Sequence, residues 1–222
     1  MDKKTLQSQD RWDPEPRWPA AIAVLAAGGL FLALPAYLTI GPRWLFPGVV
    51  GVLLVPTIVS HRSGHHHLNK ILGFTVIALV TTGMVASLIL LISALPSHKE
   101  TPTDLLRSAA CLWFTNILVF ALWYWRLDAG GPHGRDLRFG HPDGAFLFPQ
   151  MTMHPEAKLK AGEEAWSPNF VDYLFLAFNT STALSPTDVP VLTRWAKVLM
   201  MLQSFISLTV LVLLAARAVN IL

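Results

Sequence analysis

Charge is what this sequence has least of, and it is missing in blocks. No Asp, Glu, Lys or Arg occurs from Pro19 to Pro42, from Trp44 to His61, from Ile71 to His98, from Ser108 to Trp125 or from Val198 to Ala216. Charged types make up 14% of 222 residues against 53% hydrophobic. Apolar runs of this length exclude a water-soluble globule and specify an all-α integral membrane protein, because backbone polar groups in hydrocarbon must be paired within their own helix. Cysteine is nearly absent as well. The single Cys111 excludes an intrachain disulfide and, inside an apolar run, reads as a small buried hydrophobe. No Ser-His-Asp order, HExxH, CxxC or paired intramembrane carboxylate occurs, so no catalytic residue is assigned and the chain is not read as an enzyme. The net charge of +3 is modest, and the basic residues sit at membrane ends rather than in a patch with interleaved aromatics. That leaves membrane lipid and further copies of the chain as partners, and not nucleic acid.

What is present is a succession of apolar segments. Met1 to Trp18 is a polar tail, not a cleavable signal, since Asp10, Asp13 and Glu15 interrupt its basic character; Trp12 and Trp18 are expected at the membrane interface. The first span is Pro19 to Ile40, with Gly28-Gly29 as a close-packing face and Pro35 as a kink; a short turn at Gly41-Pro42-Arg43 returns Trp44 to Ser60 beside it. His61 to Lys70 reads as a small solvated loop. Its His61, His65, His66 and His67 do not share one helix face and have no acid or cysteine nearby to complete a metal shell. The third span is Ile71 to Leu95, with Thr81-Thr82-Gly83 as a helix contact. Thr101-Pro102-Thr103-Asp104 starts the fourth, 105–127, which carries Asn116 at mid-depth and ends in Trp123, Tyr124 and Trp125, expected as an interfacial belt. Residues 19–104 thus form an accessory group of three helices. The segment 128–168 is a long polar loop whose His133, Asp136, His141, Asp143 and His154 match no ligand spacing, so no metal site is assigned. Its patch of Phe146, Leu147, Phe148, Pro149 and Met151 is expected to dip onto the membrane or a neighbouring subunit.

The segment Phe170 to Asp188, FVDYLFLAFNTSTALSPTD, is the one that points to a task. Phe170, Tyr173, Leu174, Ala177 and Phe178 recur at helical spacing, and Pro186 ends the helix at or before Ser185. A helix of two to three turns, about 15 Å long, cannot span hydrocarbon about 30 Å thick. A half-helix, a polar extended stretch, an acid and a long apolar helix from Thr193 to Leu222 together describe a re-entrant pore loop. At these residues the chain resembles the pore module of tetrameric potassium channels. Phe170, Asp172, Leu174, Ala177, Phe178, Thr180, Thr182 and Asp188 match the common pattern without a gap, and Thr193, Trp195, Ala196 and Lys197 resemble the start of its inner helix. The C-terminal arrangement is also similar to that of an uncharacterised family of bacterial inner-membrane proteins, which carries no activity with it.

The resemblance implies a pore module over 105–222: an outer helix 105–127, the loop 128–168, a pore helix and filter 169–188 and an inner helix 193–222. The fold is then five transmembrane helices plus a re-entrant helix and loop, in a multi-pass protein of the inner (plasma) membrane. The ion pathway it implies is Thr180, Thr182, Ala183, Leu184, Ser185, Pro186, Thr187 and Asp188, braced by Asp172, Trp195 and Lys197, with a homotetramer around the pore and no cofactor beyond a permeant monovalent cation. Ser185, Pro186 and Thr187 stand where the family has Gly-Tyr-Gly, and only glycine turns successive carbonyls inward at no steric cost. The expectation is therefore cation conduction without a potassium cage, or, as the alternative, a non-conducting scaffold or accessory subunit that keeps the pore-loop fold. Charge placement pulls the other way on orientation. The tail holds four, the histidine loop two and the segment Arg126 to Lys160 five of the 17 Lys and Arg residues, which the positive-inside rule assigns to the cytoplasm. A potassium-channel-like loop would enter from outside, and a sixth full helix over 169–185 would remove the conflict. Gln203, Ser204, Ser207 and Thr209 give the last helix a polar stripe that either lines water or joins helices.

Overall fold

The computed structural model describes residues 15–94, 101–137, 144–162, 166–182 and 189–219. Every named element among them is helical: α1 (Trp18–Leu32), α2 (Leu45–Arg62), α3 (His66–Ala94), α4 (Pro102–Leu127), α5 (Gly131–Asp136), α6 (Pro149–Thr152), α7 (Pro155–Ala161), α8 (Phe170–Thr182) and α9 (Arg194–Val219). The four segments Leu45–Arg62, His66–Ala94, Thr103–Asp136 and Arg194–Ala216 are long and apolar enough to cross a membrane. The chain is thus a multi-pass membrane protein with little polarity to spare for its loops.

Local chemistry explains the starts of two of the helices. Thr101 caps α4 by accepting from the Asp104 amide at 3.2 Å, with Pro102 in the first turn, where its missing N–H costs nothing. Asn169 and Asp172 cap α8 reciprocally: Asn169 Oδ1 accepts from the Val171 amide and Asp172 Oδ2 from the Asn169 amide, both at 2.8 Å. Pro35 does not kink α1. The helix stops at Leu32, and a separate turn of 3₁₀ helix follows Pro35 over Ala36–Leu38, because the residue before a proline is pushed out of helical geometry. Ser87 Oγ donates to the Leu38 carbonyl at 2.7 Å and fixes that turn against the far part of α3.

The histidine loop is shorter than its composition implies. α2 runs through His61 and Arg62 and α3 starts at His66, leaving Ser63 to His65 as the turn, with Gly64 at φ +72°. The aromatic end of α4 is not an interfacial belt either. Tyr124 and Trp125 are buried, and each polar ring atom finds a protein partner: Trp123 Nε1 donates to Thr81 Oγ1 at 2.9 Å, Tyr124 Oη to Gln203 Oε1 and Trp125 Nε1 to Glu15. A belt residue would spend those donors on headgroups. The apolar patch of the long loop folds onto this same chain: Phe146 packs edge-on to Tyr124, Tyr173 and Trp195, and Phe148 to Tyr173.

Small residues set the helix spacing on the α1–α3 side. Gly28 is buried against Val50, a Cβ there meeting Cγ1 at 3.4 Å, whereas Gly29 faces open space. At Gly83 a Cβ would lie 2.6 Å from the Phe46 ring, which is itself wedged against Phe31 with centroids 4.1 Å apart. Gly83→Ala is expected to lower stability by about 1–3 kcal/mol, read as a lower unfolding temperature in detergent, while Gly29→Ala leaves that temperature unchanged or raised.

Candidate functional site

α8 is 13 residues long, about 20 Å, and its buried face of Phe170, Tyr173, Leu176, Ala177, Thr180 and Ser181 packs chiefly on α4 and also on α9. Its direction relative to α9 follows from two levels of contact. At the first, Phe146 lies with its ring centroid 6.2 Å from Tyr173 near the start of α8 and 6.2 Å from Trp195 at the start of α9. At the second, eight residues along each helix, Gln203 Nε2 donates to Ser181 Oγ at 2.7 Å and to the Ala177 carbonyl at 2.7 Å. The two helices therefore begin at one level and run the same way. α4 runs against both, with Tyr124 at the first level and Trp113 and Asn116 at the second.

The backbone beyond α8 is already back at the first level when it reappears. Leu147 N donates to the Pro190 carbonyl at 2.9 Å, Leu192 N donates to the Ala145 carbonyl at 2.8 Å, and Phe146 and Val191 form an antiparallel bridge. The axial distance from Thr182 back to the level of Tyr173 is about 13 Å at helical rise. Seven residue steps from Thr182 to Val189 reach about 23 Å when extended, so the return is geometrically easy.

The second level is a polar cluster inside an otherwise apolar bundle. The last turn of a helix leaves carbonyls without intrahelical partners, and at the buried end of α8 these must be met within the protein. Here the neighbours supply the donors: Ser204 to Thr180 at 3.5 Å, Ser207 to Ser181, and Trp113 Nε1 to Ser181 O at 3.5 Å and Ser207 Oγ at 3.1 Å, while Gln203 adds a second donor to the Ala177 carbonyl one turn earlier. Asn116 Nδ2 adds Ser181 Oγ at 3.4 Å and the Gln203 carbonyl at 3.3 Å, leaving its own Oδ1 unpartnered. Gln203, Ser204 and Ser207 thus join helices and do not line water, while Thr209 bonds back to Phe205 O at 2.8 Å. The outward face of α9 is aliphatic and aromatic, with Val198, Met201, Leu202, Phe205, Leu208 and Val212 exposed.

At the first level a set of charged groups ties the loop and the tail to the helices. Asp128 is fully buried and accepts from Tyr173 Oη at 2.6 Å and from the Ala145 amide. Arg135 donates to the carbonyls of Trp125 (2.8 Å) and Asp128 (3.0 Å) and to Glu15 Oε2 (2.8 Å), with its guanidinium 5.1 Å from the Tyr173 ring centre. Arg17 pairs with Asp136. Burial pushes the Arg17 guanidinium down from its ordinary range, opposed by the neighbouring Asp136 and Glu15.

Of the residues expected at the ion pathway, Thr180 and Thr182 are at the C-terminal end of α8, where their hydroxyls bond back to Leu176 O (2.8 Å) and Asn179 O (2.9 Å). Ala183, Leu184, Ser185, Pro186, Thr187 and Asp188 lie outside the described residues. Asp172 caps α8, Trp195 sets its ring against Phe146, and Lys197 is exposed on the first turn of α9. Among the described residues no group of three His, Cys, Asp or Glu side chains is placed to hold a metal ion. His66 and His133, 67 positions apart, stack with centroids 3.7 Å apart. No family model, curated protein or solved structure matches this chain. The site must be read from its own geometry.

Gln203 serves three buried partners at once, so Gln203→Ala leaves Tyr124 Oη without its partner and takes a donor from both Ser181 Oγ and the Ala177 carbonyl. The expected cost is about 2 kcal/mol or more, measured as a lower unfolding temperature in detergent, against less than about 0.5 kcal/mol for Ser204→Ala, whose bond is long and half-buried.

Proposed function

We propose that this chain is the subunit of a channel-like membrane protein in which residues 105–222 form a pore module. α4 is the outer helix, α8 a pore helix that enters and stops within the bilayer, Thr182 to Asp188 the strand that returns, and α9 the inner helix. The observation that carries this reading is the parallel run of α8 and α9 from a common level at Phe146. Two helices that start at one level and point the same way need a connection that runs back, which a sixth crossing helix over 169–185 would not have. Five segments then cross: α2, α3, α4, α9 and the stretch from Trp18 through the 3₁₀ turn to Leu38.

Four copies set the returning strands around one axis. The hydroxyls of Thr182, Ser185 and Thr187, with those carbonyls that can turn inward, replace part of a monovalent cation's hydration shell, and Asp188 raises the local cation concentration at the mouth. With Ser185, Pro186 and Thr187 in place of a glycine filter, the expected conduction discriminates weakly between potassium and sodium. The apolar faces of α8 (Val171, Phe175, Phe178) and α9 supply the contact between copies.

One observation favours the second reading, a scaffold that keeps the fold without conducting. α9 has spent Gln203, Ser204 and Ser207 inside the subunit, so an axis lined by Val198, Met201 and Phe205 would close by dewetting. Reconstituted vesicles separate the two. Conduction predicts a tetramer by native mass spectrometry and a cation flux that Asp188→Asn lowers about tenfold, the order set by removing one charge per subunit at a narrow mouth. A tetramer without flux supports the scaffold, and a monomer contradicts both.

A further inference from the structure

A cavity of about 760 Å³ opens between α1, α2, α3 and α4 at the end of the bundle that carries the tail and the long loop. Neither α8 nor α9 lines it, so of the proposed pore module only the outer helix α4 and the loop after it touch the cavity. Each wall helix brings a polar end and an aliphatic stretch a turn or two further in: Arg17 before Val24, Ile58 before Arg62, Lys70 before Val76, and Leu122 before Arg126. The mouth is cationic and the interior is greasy.

The charges at the mouth are not balanced. Glu15 is the one acidic side chain in the lining, and Arg135 and Trp125 already hold its carboxylate. Asp136, just outside, is taken by Arg17. Arg126 is only 8% exposed, and its guanidinium lies on Gly73, where a Cβ would meet Nη2 at 1.6 Å, so a bare glycine makes room for it. It donates to the carbonyls of Asn69 and Lys70, no carboxylate reaches it among the described residues, and Nε has no partner. The Phe74 and Trp125 rings, 5.7 and 5.8 Å from the guanidinium, offset part of the burial, and a negative group is what would complete it. Arg62 and Lys70 stand exposed at the same mouth.

We infer that this cavity binds the phosphate headgroup of an anionic phospholipid, with the headgroup among Arg126, Arg62 and Lys70 and part of an acyl chain along Val24, Ile58 and Val76. A free anion would leave the aliphatic wall unused. A membrane lipid meets both halves, and basic residues gathered at the ends of membrane helices are the pattern that recognises such headgroups. The volume is in the range that small amphiphilic ligands occupy.

The full chain in neutral detergent tests this by thermal unfolding with phosphatidylglycerol, phosphatidylcholine or inorganic phosphate added at equal concentration, with native mass spectrometry to count bound lipid. The expected result is a rise of about 2–4 °C or more with phosphatidylglycerol alone. The paired exposed substitutions Arg62→Gln and Lys70→Gln should weaken that lipid's apparent affinity about tenfold or more while leaving the lipid-free midpoint in place. Arg126→Gln should abolish the preference for the anionic lipid. Equal shifts from both lipids, a shift reproduced by inorganic phosphate, or an unchanged affinity in the exposed double variant would overturn the assignment, and the double variant decides it even if Arg126→Gln does not fold.

Discussion

The C-terminal end of α8 is buried against its neighbours, where its last carbonyls have no intrahelical partner, and this constraint organises the C-terminal half of the molecule. α8 resolves it with donors borrowed from its neighbours: Ser204 and Ser207 of α9 and Trp113 of α4 reach the carbonyls of Thr180 and Ser181. Those donors are spaced to meet the last turn of α8 only if α9 runs alongside it in the same direction. The parallel arrangement, the burial of the end of α8 against α4 and α9 and the return of the backbone to Phe146 by Val191 fit together in one geometry. The interhelical bonds are individually weak in membranes, about 0.6 kcal/mol on average, but at the Ser181 carbonyl they also remove the cost of a buried orphan.

The other end of the bundle solves a different problem. The tail, the α2–α3 turn and the long loop, which hold most of the basic residues, converge there, and the fold divides their charge into a paired and an unpaired set. Arg135 with Glu15, and Arg17 with Asp136, close the loop and tail over the helices. Arg126, Arg62 and Lys70 are left at the mouth of a cavity with no acid in reach among the described residues. The gathering of the three basic segments at one end is also the charge asymmetry that orients membrane proteins. In this fold the start of α8 shares that end.

How much of this could be read from the sequence differed by scale. Charge-free runs give the apolar segments, because hydrocarbon tolerates nothing else, and the small number of polar residues within them flags the cluster in advance: Asn116 and the Gln203 stripe are polar where polarity is costly. The stripe alone does not say whether it faces water or another helix. That depends on the partner's register, which no local pattern encodes. Long-range polar pairs were likewise invisible. Asp128 and Tyr173 are 45 positions apart and Arg135 and Glu15 are 120 apart, and the aromatic end of α4 looked interfacial because its hydrogen-bond partners come from α3, α9 and the tail. Gly73 carried a usable hint, a glycine in a long helix where alanine would be favoured, but its reason, the Arg126 guanidinium lying on it, appears only in the fold.

The claim on which all this turns is that the chain enters and leaves the bilayer at one face between α7 and α9. Single cysteines placed at Lys160 and at Arg194 in a Cys111→Ala background, with Thr101→Cys at the opposite end of α4 as reference, test it through labelling of oriented vesicles by a membrane-impermeant maleimide. The account predicts that Lys160→Cys and Arg194→Cys react from the same face and Thr101→Cys from the other. Labelling of Lys160→Cys and Arg194→Cys from opposite faces would contradict it, because α8 would then cross the membrane.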